Sequence, residues 1–112
     1  MREQSADMPT VPQLSDQELL ATRVRLPQHV VHRSFVAETV VLNLRTGKYH
    51  GLNPTAGRML EVLDVALTVG DAVPELTNEY GVEREQIERD LLTLTRGLLE
   101  RELIVATDDD AG

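Results

Sequence analysis

The chain has 112 residues, of which 41% are hydrophobic, and it carries a formal net charge of -8. That length bounds the fold to one small domain with a modest core. The charge disfavours a phosphate-gripping surface, and so nucleic acid and anionic membranes, in favour of basic peptides or basic partner surfaces.

There is no cysteine, which excludes disulfides and thiolate zinc sites and fits a reducing cytoplasm. The longest apolar runs fall far short of a membrane span, and no signal-peptide pattern is read.

Residues 1–23 read as a flexible lead-in. Pro9 and Pro12 interrupt regular structure and apolar residues are sparse. Within it, Ser15-Asp16-Gln17-Glu18 matches a capping box ahead of Leu19-Leu20, so one or two helical turns are expected there. The ordered domain is expected over 24–105.

A first strand is predicted from Val30 to Phe35, after Pro27. The Val36-Ala37-Glu38-Thr39 connection leads to a second strand, Val40 to Arg45, where Val40, Leu42 and Leu44 alternate with Val41, Asn43 and Arg45. Thr46-Gly47 is a turn signal, because glycine takes the positive φ that a hairpin needs. Lys48 to Leu52 returns as a third, outer strand, and Gly51 within it leaves room for another backbone.

Asn53-Pro54 opens a helix running to about Ala66. Asn53 is a good N-cap and Pro54 fits the first helical position. Ala56, Met59, Leu60, Leu63 and Leu67 form its buried stripe. A second helix is predicted over Ala72 to Tyr80, with Asp71 as N-cap, Pro74 harmless in the first turn and Gly81 as the left-handed stop.

The third predicted helix, Arg84 to Arg101, is the longest. Ile87, Leu91, Leu94 and Leu98 are its core stripe. At about 100° per residue, Glu88, Leu92, Leu99 and Leu103 lie on a second stripe, with Thr95 between the two. That extra apolar width either completes the core or walls a ligand groove. The acidic run Asp108-Asp109-Asp110 belongs to a disordered tail expected over 106–112.

Catalytic chemistry is not evident. His29 and His32 are three apart, a ligand spacing on a helix but not on a strand. With His50 they form no site that a nearby carboxylate completes. No nucleophile motif, phosphate-binding loop or metalloprotease motif occurs. The chain reads as a binding module with no catalytic residue, cofactor or metal.

The run VVLNLRTGKYHGLNPTAGRMLEVLD, then a helix closed by EYGVE, then a long helix ending LLERELI, resembles the PqqD family. The resemblance covers about Val30 to Val105. That family includes the leader-recognition elements of ribosomally made, post-translationally modified peptides. The hairpin wording and size are most similar to its small members of lasso peptide biosynthesis. The resemblance implies a winged-helix-like α+β fold, a three-stranded antiparallel sheet followed by three helices. It implies binding of a precursor's leader segment, added as a strand beside the third strand and against the third helix. The precursor would then pass to a leader peptidase and a macrocyclase.

The residues agree independently. An outer strand offers unpaired backbone groups for β-augmentation. The expected peptide-binding residues are Lys48, Tyr49, His50, Gly51 and Leu52 on the strand, with Arg84, Glu88, Leu92, Thr95 and Leu99 on the helix. Tyr49 is read either as an aromatic wall or as core. Two rivals stand beside this reading. One is a peptide carrier for a radical enzyme in PQQ-type cofactor biosynthesis. The other is a winged-helix DNA-binding regulator, which the surplus acids from Glu83 to Glu102 disfavour.

Overall fold

In the computed structural model, which describes residues 14–107, Ser15 opens helix α1 (Asp16–Leu20). Its hydroxyl accepts from the Glu18 amide while the Glu18 carboxylate accepts from the Ser15 amide, the reciprocal box that the sequence predicts. Leu19 on this helix is fully buried. Arg96 of the last helix holds the segment down, donating to the Leu14 carbonyl at 2.8 Å and to Asp16 at 2.6 Å. Of the expected lead-in, residues 1–13 lie outside the described residues.

Strand β1 (Arg23–Arg25) follows. It pairs antiparallel with the last strand, β5 (Val105–Thr107), in the register Val24 to Ala106. The sequence reading contains neither strand, because three residues are too few to show an alternation. Residues 108–112 of the expected tail lie outside the described residues.

The meander comes next. Strands β2 (Val30–Ser34), β3 (Thr39–Asn43) and β4 (Tyr49–Leu52) form an antiparallel sheet in the order β2-β3-β4. Each lies within two residues of its predicted bounds. Gly47, at φ 76°, turns the second hairpin.

Helix α2 (Pro54–Val65) starts where predicted. Asn53 Oδ1 accepts from the Ala56 amide at 2.8 Å. Met59, Leu60, Val62 and Leu63 are buried. Leu67, expected on the stripe, lies beyond the helix end and is 68% exposed.

Helix α3 (Val69–Tyr80) begins three residues before its predicted start. Thr68, not Asp71, is the N-cap, and its hydroxyl accepts from the Asp71 amide at 3.2 Å. Burial decides this: Val69 and Ala72 are wholly enclosed, and an earlier start brings both onto the inner face. Pro74 therefore sits inside the helix, not in its first turn. Gly81, at φ 69°, ends the helix as expected.

Helix α4 (Arg84–Glu100) packs on α3, while α2 is the helix that covers β3 and β4. The core gathers Leu60, Leu63, Leu76, Leu91 and Leu98 from these helices, and Ile104 from the segment between α4 and β5. Burying each contributes about 1.5–3 kcal/mol against the entropy of ordering the chain.

Candidate functional site

The outer edge of β4 has a definite backbone phase. The Asn43 amide donates to the Lys48 carbonyl at 2.9 Å. Bonded and non-bonded pairs alternate along an antiparallel ladder. The pairs Val41 to His50 and Thr39 to Leu52 are therefore the bonded ones, and Leu42 to Tyr49 and Val40 to Gly51 are not. The N–H and C=O groups of Tyr49 and Gly51 point away from β3. Among the described residues no further strand pairs with that edge.

The same alternation sorts the side chains. Thr39, Val41, His50 and Leu52 share the face turned to the helices, where Thr39, Val41 and Leu52 are buried. Val31, Val40, Leu42 and Tyr49 share the opposite face. So the apolar series at Val40 and Leu42 looks outward, beside exposed Val31 and Phe35. A shallow cavity of about 620 Å³ runs over this face between Val31, Arg33, Phe35 and Leu42. Tyr49 is 75% exposed, which removes the core alternative for it. The space a side chain would take at Gly51 is held by the Glu38 carboxylate, whose Oε1 lies 2.7 Å from an ideal Cβ position.

The helical half of the expected site is more enclosed than the sequence suggests. Leu92 is 6% exposed, Leu99 8% and Thr95 0%. The Thr95 hydroxyl donates to the Leu91 carbonyl of its own helix at 2.7 Å. Most of the second apolar stripe therefore completes the core, with Glu88 half-buried beside it. Arg84 lines a different cavity, of about 760 Å³, with Pro74, Thr77, Gly81 and Val82 at the turn between α3 and α4.

The residues that face Lys48, Tyr49 and His50 across a cavity are Arg101, Glu102 and Leu103, with Asn43 and Thr46 closing it. Its volume is about 380 Å³. A neighbouring cavity of about 440 Å³ joins Glu102 to His29, Arg45 and Leu99. Sequence reasoning ends the helix at Arg101, one residue from its observed end, but leaves Arg101, Glu102 and Leu103 out of the site, because nothing in LLERELI shows that the chain turns there beside the hairpin. A cluster of surface ion pairs lies elsewhere: Arg58 of α2 meets Glu79 at 3.0 Å, Glu61 at 3.2 Å and Glu75 at 4.0 Å. The hydrogen bond to Glu79, then that to Glu61, holds the Arg58 guanidinium pKa above its usual value. This cluster ties α2 to α3 and does not touch the β4 edge.

Comparison with known proteins finds a family and similar solved structures. Residues 38–104 match the family described as "Coenzyme PQQ synthesis protein D (PqqD)". Two similar solved structures are "TbiB1 in Complex with the TbiA(beta) Leader Peptide" and "Lasso peptide synthetase B1 complexed with the leader peptide". The first is 31% identical with a TM-score of 0.66, covering 75% of this chain and 98% of that one. The second is 31% identical with a TM-score of 0.66, covering 74% and 98%. No curated protein matches.

Proposed function

The chain belongs to the PqqD family, and from that premise we propose that it binds the leader segment of a ribosomally synthesised precursor peptide in lasso peptide biosynthesis. The leader adds as a strand along β4. The protein then presents the precursor to its processing enzymes, a leader peptidase and a macrocyclase, and itself performs no catalysis.

The observation that carries this reading is the open edge of β4. Tyr49 and Gly51 offer an outward pattern of donors and acceptors beside a cavity. Strand addition supplies affinity through the backbone, and pockets for alternate side chains supply specificity. Both similar structures hold a leader peptide.

The enzymes that act on the leader need their own surface. The outward sheet face, with Val31, Phe35 and Leu42, adjoins the peptide-binding edge and is apolar enough for a protein partner. We place these steps in the cytoplasm, where precursors are made. No helix among the described residues is long and apolar enough to cross a membrane.

Amide hydrogen exchange with a synthetic leader of the cognate precursor tests the reading. Tyr49 and Gly51 should gain protection when the peptide is added. Protection confined to β2 or α3, with none on β4, would overturn the strand-addition site.

A further inference from the structure

Glu102 stands where a helix ordinarily stops on glycine. The Glu102 amide donates to the Leu99 carbonyl at 3.0 Å and the Leu103 amide to the Leu98 carbonyl at 2.9 Å, the paired bonds of a Schellman stop. Glu102 makes the turn at φ 61°, the one non-glycine residue with positive φ among the described residues. Such strain persists where the surroundings over-determine it. Here it holds Arg101-Glu102-Leu103 across the cavity from Lys48 and His50.

The charge at this place opposes that of the whole chain. Between Gln28 and Leu52 the charged residues are Arg33, Glu38, Arg45 and Lys48, a net +2 in a chain of -8. Lys48 and Arg101 line the cavity, and among the described residues Glu102 is the one carboxylate that does. One guanidinium nitrogen of Arg101 donates to the Gly97 carbonyl at 3.4 Å, leaving the others available. Lys48 is exposed and makes no ion pair with any described residue.

We propose that this cavity is a carboxylate subsite. An aspartate or glutamate of the bound peptide sits between Lys48 and Arg101 at the hairpin end of β4, and it fixes the register of the added strand. The inference rests on the strand-addition reading above. Backbone pairing alone tolerates slippage, and a slip of one residue turns every peptide side chain to the wrong face. A peptide residue lying beside Lys48 shares its sheet face, the one turned to the helices, so its carboxylate enters the cavity that Lys48 and His50 line with Arg101. Glu102 opposes this binding and sets how acidic the peptide must be.

The test uses a displayed library of random twelve-residue peptides selected on the full chain. The wild type should enrich peptides with Asp or Glu at one fixed position. An enriched peptide should bind about two- to five-fold more tightly than its Asp→Asn or Glu→Gln form, as for a solvent-facing ion pair. Lys48→Glu and Arg101→Glu, each checked for native circular dichroism, should each abolish that difference. Glu102→Gln should enlarge it. Arg89→Glu, an equal change of charge at an exposed site on α4, should leave it intact. Amide exchange at Tyr49 and Gly51 reports strand addition separately. Protected amides with no acidic preference, or a preference that survives both Lys48→Glu and Arg101→Glu, would overturn the subsite while leaving peptide binding in place. No enriched peptide and no protection would overturn both.

Discussion

Gly57 of α2 lies directly against Thr39 of β3. A Cβ placed at position 57 would overlap the Thr39 hydroxyl and stand 2.7 Å from the Thr39 Cβ. Thr39 cannot step aside. It is 3% exposed, and its hydroxyl is 3.0 Å from that of Ser34, which in turn donates to Glu61 at 3.2 Å. This contact sets how closely the helix approaches the sheet. It thereby fixes the position of β4, the strand beside β3.

Gly57→Ala should therefore destabilise the protein, although alanine is the better helix former. Overpacking costs about 1–3 kcal/mol, and the gain in helix propensity offsets about 1 kcal/mol of it. Chemical denaturation should show a lowered midpoint with an unchanged slope. A midpoint at or above that of the wild type would mean that the helix shifts freely on the sheet.

Leu92 belongs to the core first. At 6% exposure, truncation to alanine should cost about 2–5 kcal/mol. Leu92→Asp, which would bury an unpaired charge, should fail to fold. Leu92→Met, close in volume, should keep stability within about 1.5 kcal/mol. Thermal melts of the three variants check the order. A stable, native Leu92→Asp protein would mean that this face of α4 is open to solvent.

What was legible in the sequence, and what was not, divides along physical lines. The hairpin, the Asn53-Pro54 start, the Gly81 stop and the long last helix each rest on local chemistry, and each is found. The β1–β5 pair joins residues some eighty positions apart through three-residue strands, so no local pattern announces it. The start of α3 hinges on a competition between two good caps, Thr68 and Asp71. Tertiary burial of Val69 settles it. On the strand half of the candidate site, order and edge followed from the turn signals. On the helical half, periodicity shows that α4 has two apolar stripes. It does not show that Leu92 and Leu99 both turn into the fold. The turn at Glu102 is invisible for another reason: a glutamate in left-handed backbone goes against its own preference.

Glu102→Gly should stabilise the protein. Left-handed backbone costs a non-glycine residue about 1–2 kcal/mol. The added freedom of glycine in the unfolded chain takes back about 0.4–1 kcal/mol. A net gain of roughly 0.5–1 kcal/mol should appear as a rise of a few degrees in Tm. Glu102→Ala, which keeps the Cβ, should give little of it. If both substitutions stabilised equally, the charge of Glu102 and not its backbone would be the source of strain.

The backbone phase of β4 gives the most pointed prediction. Proline has no N–H to donate, so its effect on a strand depends on which way that N–H points. At Tyr49 it points outward, away from β3, and proline is tolerated on such an edge. Tyr49→Pro should therefore fold, with a native circular dichroism spectrum. At His50 the N–H belongs to the bonded pair with Val41, and His50→Pro should break the ladder and lower Tm sharply. Leader binding should separate the two effects. Tyr49→Pro removes one donor from the peptide, worth about 0.5–1.5 kcal/mol, and sets a ring where the added strand must lie. Affinity by fluorescence anisotropy with the synthetic leader should fall about three- to ten-fold. Tyr49→Ala keeps the N–H and should stay near the wild type, since the ring lies on the outward sheet face with Leu42 and is 75% exposed. Equal losses in Tyr49→Pro and Tyr49→Ala would mean that the ring, not the backbone, holds the peptide. Unchanged affinity in Tyr49→Pro would place the peptide on another edge of the molecule.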